Sequence, residues 1–303
     1  MFDLPVYVIS LGCPKNLVDT EWLLGSLGSS SRLVGDLEEA RLVLINTCAF
    51  IRPAVEESVQ TILEVVSDIK EMPAKPLLAV TGCLVARYGA ELKKELPEVD
   101  LWMTLQEQQH WPKYLRTRMH CSLREESQRL LSTPPGSAYL KISEGCNHKC
   151  NFCTIPWLRG PLRSKPIEEV TREAKWLLDN GVQEITLVAQ DLTSYGRDLD
   201  LNYGLLRLLN NLLPLSGLKW LRLLYLYPAG LTSELLSFIS QNGPKLLPYL
   251  DIPLQHAHPD VLQNMGRPFA RNPFKLVEKV RKFLPDAALR TSMIVGYPGE
   301  SEK

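Results

Sequence analysis

The sequence predicts an α/β protein in which an amino-terminal βαβ domain with a parallel sheet precedes a partial (β/α) barrel. Apolar runs alternate with amphipathic segments over about the first hundred of 303 residues, which is the pattern of βαβ units. A mixed polar stretch at 103–136 interrupts the alternation and ends in Thr133-Pro134-Pro135-Gly136, a turn-rich sequence typical of a linker. A second series of five strand–helix steps begins at Ala138, as in a (β/α) barrel.

The elements of the first domain follow from its apolar pattern. Continuous apolar runs predict strands buried on both faces of a sheet, and these are 6–11, 42–45 and 77–80. Apolar residues at helical spacing predict the helices, which are 16–27, 53–69 and 87–96. Pro53 opens the second helix, a position that favours proline. The first domain is therefore assigned to residues 4–120.

The second half repeats the alternation. Its predicted strands are 138–143, 184–190, 219–226, 249–254 and 289–296. Its predicted helices are 166–180, 203–213, 232–241 and 272–284. We therefore assign residues 121–136 to a connector and residues 137–303 to the barrel domain.

Composition and charge exclude several classes of protein. The chain has 34 basic and 34 acidic residues and a net charge of zero, which excludes a protein built as one large basic surface for nucleic acid. No apolar run approaches the roughly 18 residues of a membrane helix, and the start lacks the pattern of a signal peptide. We expect a cytoplasmic protein with no membrane partner, in a compartment where disulfides are rare.

Three of the seven cysteines form a compact Cys-x3-Cys-x2-Cys motif at Cys146, Cys150 and Cys153. Thiolates select zinc or iron–sulfur clusters. Three ligands for four irons leave one iron open for binding, whereas a structural zinc ion takes four ligands. The zinc alternative would need His148 to fold back from inside the short loop, so we favour a cluster.

A second set consists of Cys13, Cys48 and Cys83, which are spaced thirty-five residues apart. Each follows a predicted strand and precedes a predicted helix, so a parallel sheet would bring the three thiols to one edge. Helix amino ends favour the thiolate form of cysteine. The alternative is three unrelated core cysteines, since free cysteine is commonly buried. The remaining cysteine, Cys121, is assigned no role.

These motifs resemble those of the radical S-adenosylmethionine (SAM) methylthiotransferases, and the resemblance covers about 5–120 and 133–303. Within that family the sequence is most similar to the branch that modifies an aspartate of the ribosomal small-subunit protein uS12. The segments that carry the resemblance are Ser10-Leu11-Gly12-Cys13-Pro14-Lys15-Asn16, Asn46-Thr47-Cys48-Ala49-Phe50-Ile51, Ile142-Ser143-Glu144-Gly145-Cys146-Asn147-His148, Ala189-Gln190-Asp191 and Leu250-Asp251-Ile252-Pro253-Leu254-Gln255-His256.

The resemblance implies an enzyme with two 4Fe-4S clusters and SAM. The cluster held by Cys146, Cys150 and Cys153 would bind SAM on its open iron and, once reduced, generate a radical that abstracts hydrogen from the substrate. The cluster on the second set of cysteines would carry the sulfur. The implied product is a methylthio group on the β-carbon of a uS12 aspartate, and the implied partners are uS12 or the small ribosomal subunit and a flavodoxin- or ferredoxin-like reductant.

The resemblance also suggests residues that contact SAM, each with a structural alternative. Phe152 is a candidate for packing on the adenine or is a core aromatic. Gln190, Asp191 and Gln255 end predicted strands and are candidates for reaching the cofactor. The turn at 296–300 offers Gly296, Gly299 and Glu300, or is a plain strand-ending turn.

Three basic residues, Arg159, Arg163 and Lys165, follow the cysteine loop. They are candidates for a substrate or cluster contact, but we expect a solvated basic loop.

The family continues through a sixth barrel strand and a TRAM-type β-barrel, whereas this sequence stops at Lys303. We therefore expect a carboxyl-terminally truncated chain that binds clusters and binds substrate poorly. The alternatives are a tRNA adenosine methylthiotransferase and, in another class, a non-catalytic metal-binding scaffold.

Overall fold

The computed structural model describes residues 4–28, 31–119, 129–267 and 272–301. The chain divides into two compact units, Met1–Ser132 and Thr133–Lys303, so the division falls inside the predicted connector 121–136. Cys121 lies outside the described residues. Both units are α/β, which confirms the predicted fold class.

The first unit contains a parallel sheet with the strand order β2-β1-β3-β4-β5. The strands are β1 (Leu4–Ser10), β2 (Ser31–Leu33), β3 (Leu42–Thr47), β4 (Leu77–Gly82) and β5 (Leu101–Met103). The helices are α1 (Pro14–Ser26), α2 (Arg52–Glu71), α3 (Cys83–Glu95) and α4 (Trp111–Met119). Every residue of β3 is buried, as expected for a central strand covered on both faces.

The predicted strands β1, β3 and β4 are confirmed, and the sequence missed β2 and β5. Both missed strands have only three residues, too few for a periodic pattern. The prediction for the third helix was wrong at its start, because α3 begins at Cys83 and not near residue 87. Gly82 has φ +103° and turns the chain directly from strand to helix, so Cys83 is the first helical residue.

Part of the polar stretch after β5 belongs to the core of the first unit. Trp111 and Leu115 of α4 are completely buried against the apolar core formed by the sheet and α1. The Trp111 indole Nε1–H donates to the Thr104 carbonyl over 3.0 Å. Arg129, which the sequence places in the connector, forms a buried ion pair with Glu21 of α1. The end of this stretch is therefore tied to the first unit.

The second unit contains a parallel sheet with the strand order β12-β11-β10-β9-β6. These strands are β6 (Ser137–Lys141), β9 (Glu184–Val188), β10 (Trp220–Leu223), β11 (Leu246–Asp251) and β12 (Ala288–Arg290). Strands β7 (Ser143–Glu144) and β8 (Arg163–Ser164) form a short antiparallel pair. The helices are α5 (Ile155–Arg159), α6 (Ile167–Asp179), α7 (Gly204–Leu212), α8 (Ser233–Gln241), α9 (Pro259–Asn264) and α10 (Pro273–Phe283).

Successive long strands of this unit are neighbours in the sheet, which is the arrangement of a barrel sector. All five predicted strands are present, although β12 ends at Arg290, six residues before the predicted end. The sequence missed β7, β8, α5 and α9, each of which has six residues or fewer. Within the described residues, no helix has the length and apolar character needed to cross a membrane.

Candidate cofactor sites

The Cys146–Cys153 loop joins β7 to α5, beyond the carboxyl end of β6. The loop is held to the segment that follows α9, because the backbone N–H of Asn151 donates a hydrogen bond to the Met265 carbonyl over 3.1 Å. A Cβ atom at Gly266 would lie 2.6 Å from the Lys149 carbonyl oxygen, so only glycine permits this approach. Close backbone packing therefore shapes the loop that carries the three thiols.

Glu144, two residues before Cys146, is the centre of a polar cluster under the loop. Its carboxylate accepts hydrogen bonds from Lys141 (2.8 Å), from Arg159 (3.0 Å to each oxygen) and from Gln190 (2.7 Å). Burial alone would raise the pKa of Glu144, but the two cations outweigh it and hold the pKa well below its usual range. The charged carboxylate thus joins the strand before the loop to the helix after it.

The expectation of a solvated basic loop was wrong for two of its three residues. Arg159 has a side chain only 1% exposed, paired with Glu144, and Lys165 is paired with Glu173 over 2.7 Å. Only Arg163 is exposed. The carboxylates that pair with Arg159 and Lys165 belong to other secondary-structure elements. The charge pattern close to these two residues in the sequence therefore could not predict the ion pairs.

The imidazole ring of His148 is held by contacts with Asp191 and Tyr227. Its Nε2 atom lies 2.7 Å from an Asp191 carboxylate oxygen, and its ring stacks on Tyr227 with a centroid separation of 3.7 Å. Asp191 also accepts hydrogen bonds from Ser194, from Thr193 and from the Tyr227 amide. Burial would raise the pKa of Asp191, but its bonds to His148, Ser194 and Thr193 lower it.

The thiols of this loop suit a soft metal cluster. All three are free. Burial raises the pKa of Cys146 to about 11 and also raises the pKa of Cys153, so a metal that binds these two thiols must displace their protons. The His148 amide donates to the Cys146 sulfur over 3.4 Å, and the Tyr227 hydroxyl lies 3.9 Å from the Cys150 sulfur. Such bonds stabilise thiolate ligands. In the described parts of the chain, no three His, Cys, Asp or Glu side chains are grouped to hold a single metal ion.

The residues suggested as SAM contacts have varied surroundings. Phe152 packs on Val261, Leu262 and Met265, as the core-aromatic alternative requires. Gln190 donates to Glu144, and its buried Oε1 has no hydrogen-bond partner among the described residues. Asp191 is engaged as above, so its role toward SAM stays a prediction.

The other suggested contacts are Gln255, which follows β11, and three residues of the turn at 296–300. Gln255 has φ +74° and pairs with Met293 through a single β-bridge. Gly296 and Gly299 have positive φ, and Glu300 accepts hydrogen bonds from His256 and the Tyr297 amide. Glu300 therefore closes the turn, and contacts of these residues with SAM stay predictions.

The second set of cysteines lies at one edge of the first sheet. Cys13 is the N-cap residue of α1, Cys48 follows β3, and Cys83 begins α3. The strands before them, β1, β3 and β4, are adjacent, so their carboxyl ends meet at one edge, where doubly wound sheets bind ligands.

Two loops of this site are in close contact. A Cβ atom at Gly12 would lie 2.7 Å from the Cys48 Cβ and 3.0 Å from its sulfur. Ser58 of α2 accepts from the Cys48 amide and donates to the Cys48 carbonyl over 3.1 and 2.8 Å. The Cys48 backbone is thereby fixed beside the residue that precedes Cys13.

Comparison with known proteins identifies both units. Residues 5–104 match the uncharacterized protein family UPF0004, and residues 140–303 match the radical SAM superfamily. The chain is 56% identical over 299 residues to the ribosomal protein uS12 methylthiotransferase RimO of Oleidesulfovibrio alaskensis, covering 98% of this chain and 70% of that protein. It is 47% identical to the RimO protein of Aquifex aeolicus, covering 98% and 66%. The chain belongs to the radical SAM methylthiotransferase family.

Solved structures support the fold of this methylthiotransferase. The radical SAM methyltransferase TsrM of Kitasatospora setae, solved with cobalamin and a [4Fe-4S] cluster, superposes with a TM-score of 0.68 at 13% identity, covering 99% of this chain and 71% of that one. The cobalamin-dependent radical SAM enzyme OxsB has a TM-score of 0.62 at 10% identity, with 96% and 49% covered. Membership of the superfamily implies a 4Fe-4S cluster and SAM, and the donor set of the Cys146–Cys153 loop fits such a cluster.

Sequence reasoning missed the residues that support this loop, above all Glu144, Tyr227 and Arg267. Arg267 is 5% exposed and lies over the Tyr227 ring, 4.8 Å from its centroid. The position of Glu144 directly before the motif was the one available signal. Tyr227 and Arg267 are distant in sequence, so only the fold brings them to the loop.

Proposed function

We propose that this chain adds a methylthio group to the β-carbon of an aspartate in ribosomal protein uS12. The observation that carries the proposal is the 56% identity of this chain to a protein named as a uS12 methylthiotransferase. Two groups of three cysteines, one in each unit, support it as candidate cluster ligands. One site serves radical generation and the other serves sulfur transfer.

Cys146, Cys150 and Cys153 are proposed to hold the first 4Fe-4S cluster and to leave one iron open for SAM. When bound, this pair supplies the one-electron chemistry that activates a C–H bond of the substrate. The chain supplies the geometry around it. Glu144 and Arg159 anchor the two ends of the loop, and the His148–Asp191 bond orients its centre.

Cys13, Cys48 and Cys83 are proposed to hold the second 4Fe-4S cluster, which carries the sulfur. Their adjacency at one sheet edge supports a shared ligand. Cys13 and Cys83 lie at the amino ends of α1 and α3, where the partial positive charge of a helix favours a bound anion such as a cluster.

The proposed SAM contacts are Phe152, Gln190, Asp191, Gln255, Gly296, Gly299 and Glu300. Gln190 gives most support, because its buried Oε1 has no hydrogen-bond partner in the described part of the chain and a buried acceptor gains from a donor on a ligand. The proposed partners are uS12, or the small subunit that contains it, and a flavodoxin- or ferredoxin-like reductant. A ribosomal substrate implies a cytoplasmic reaction.

Anaerobic reconstitution of the full chain tests the two-cluster proposal. We expect about eight irons per chain, the content of two cubes. Cys146→Ala should lose half of the iron and all SAM cleavage, whereas Cys48→Ala should lose half of the iron and retain cleavage. Cys121→Ala is the control and should match the unmodified chain. Zinc without the brown absorbance of a cluster would overturn the enzyme proposal in favour of a metal-binding scaffold.

Mass spectrometry of the product tests the substrate. Incubation of the reconstituted chain with SAM, a reductant and the small ribosomal subunit should replace one hydrogen of uS12 by a methylthio group, which raises the mass of uS12 by the difference. The same mass on tRNA adenosine and not on uS12 would contradict the assignment.

A further inference from the structure

The edge of the first sheet contains polar side chains that the proposed chemistry does not use. Asn16, Asn46, Thr47 and Thr81 are all 0% exposed, and they lie next to the loops of Cys13, Cys48 and Cys83. A buried amide or hydroxyl is costly unless it is hydrogen-bonded. The hydrogen bonds made by these four side chains therefore indicate their structural role.

Asn16 joins the loops of Cys13 and Cys48. Its side-chain Nδ2 donates to the Leu11 carbonyl over 3.0 Å and to the Thr47 carbonyl over 2.9 Å. Leu11 precedes Cys13 by two residues, and Thr47 directly precedes Cys48. The two protons of one amide thus fix the spacing of two cysteine loops.

Asn16 is itself oriented by the neighbouring strand. The Asn46 side-chain Nδ2 donates to the Asn16 carbonyl over 2.8 Å and to the Thr20 hydroxyl over 2.9 Å. The hydrogen bond from the Asn16 side chain to the Leu11 carbonyl lies beyond the last β1–β3 pair, Ser10 with Asn46. The Asn16 side chain therefore continues the connection between the two segments where the backbone pairing of β1 and β3 ends.

Thr47 links β3 to β4 directly before the loops of Cys48 and Cys83, where the two strands still pair, Thr47 with Gly82. Its hydroxyl donates to the Thr81 carbonyl over 2.5 Å, two residues before Cys83. The hydroxyl of Thr81 donates in the opposite direction along the sheet, to the Met103 carbonyl of β5 over 2.8 Å, and none of Cys13, Cys48 and Cys83 follows β5. Asn16 and Thr47 therefore link the three thiol-bearing loops in the order of their strands.

We propose that Asn16 and Thr47 are positioning residues that preassemble the Cys13–Cys48–Cys83 site before a cluster binds. The role of that site as a cluster site rests on the proposed function, but the positioning is a property of the metal-free chain. These side-chain bonds hold the three loops together at the sheet edge, so the segments that carry the thiols are already adjacent when iron arrives.

Cross-linking in the metal-free full chain tests this proposal without any cofactor. A short bifunctional thiol reagent, followed by peptide mass spectrometry, measures the rate at which Cys13 is linked to Cys48 and Cys48 to Cys83. Asn16→Ala should slow the first link roughly fivefold, and Thr47→Val should slow the second by a similar factor, the range expected for one net hydrogen bond. The Cys146–Cys150 link is the internal standard and should be unchanged.

Thr81→Val is the matched control, because it removes an equally buried threonine hydroxyl bond that does not join two cysteine loops. Both links should form at the unmodified rate in this variant. Unchanged rates in Asn16→Ala and Thr47→Val, or equal slowing in Thr81→Val, would overturn the proposal. Circular dichroism verifies that each variant folds. If Asn16→Ala does not fold, the cross-linking rates of Thr47→Val test the proposal, because valine preserves the side-chain shape of threonine.

Iron binding then separates this proposal from the proposed function. In reconstituted Asn16→Ala we expect less iron in the second site, with the electron paramagnetic resonance signal of the first site unchanged. If the unmodified chain holds iron only in the first site, the second-cluster proposal fails, whereas the cross-linking rates still decide the roles of Asn16 and Thr47.

Discussion

Arg159 Nη1 lies 3.0 Å from both carboxylate oxygens of Glu144, so the residue that ends β7 is bound to the residue that ends α5. The thiols of Cys146, Cys150 and Cys153 all lie between these two points in the chain. An ion pair that closes the ends of a loop limits the conformations that the loop can adopt. The pair is thus a structural device for the first thiol site.

Glu144→Gln should destabilise the metal-free chain by about 3–5 kcal/mol at pH 7, because it leaves the buried charge of Arg159 without its partner. The pKa of Glu144 is lower in the folded chain than its unfolded value of about 4.3. The pair therefore contributes fully above that pH, and the contribution is lost as the pH falls toward the folded pKa. Urea unfolding at several pH values should show the difference between the two proteins shrinking below about pH 4.3.

Glu184→Gln is the control for this experiment. It removes a partly exposed ion pair with Arg222, so we expect a change below about 1 kcal/mol. A Glu144→Gln effect that is constant with pH would show that charge is not the source of the stability.

Gly12→Ala should disrupt the second thiol site. The new Cβ would lie 2.7 Å from the Cys48 Cβ, at a position with φ +90°, so the Cys48 loop must move. Gly136→Ala is a close match, since φ is +91° and a Cβ there meets nothing within 4 Å. The control should cost only the backbone strain of about 1–2 kcal/mol, and only Gly12→Ala should lower the iron content after reconstitution. Equal iron in the two variants would argue against the contact.

Tyr227→Phe should lower the reduction potential of a cluster in the first site. The Tyr227 hydroxyl lies 3.9 Å from the Cys150 sulfur, and a hydrogen bond to a ligand sulfur stabilises the reduced, more negative cluster. The measurement is a redox titration followed by electron paramagnetic resonance in a Cys48→Ala background, which restricts iron to the first site. Tyr195→Phe, whose hydroxyl donates to the Lys165 carbonyl, should leave the potential unchanged. A higher potential in Tyr227→Phe would contradict the assignment.

Trp111→Ala should destabilise the first unit by about 3–5 kcal/mol, the range for a large buried side chain. Trp111 is 0% exposed in the core beside α1. Trp157→Ala removes a tryptophan that is 61% exposed and should change stability by about 0.5 kcal/mol or less. Urea unfolding of the metal-free chain compares them, and similar small effects would show that α4 is not part of the core.

The long buried strands could be predicted from the sequence, because an apolar run such as 42–45 is a strong local signal. The short elements could not, since β2 and β5 hold three residues each and depend on a longer neighbour for their bonds. The cysteine motifs were visible for a similar reason: their spacing is local or matches the βα repeat. The burial of Arg159 was missed because its partner, Glu144, lies fifteen residues away.

The sequence alone was sufficient for the α/β class, the family resemblance and the two groups of three thiols, since apolar periodicity and cysteine spacing are properties of the chain itself. The fold decided which groups surround those thiols. Glu144 with Arg159, His148 with Tyr227, and Asn16 with the loops of Cys13 and Cys48 meet only after distant segments pack. Hydrogen bonds and ion pairs act over a few ångströms in space, so separation along the chain hides them until the tertiary structure is formed.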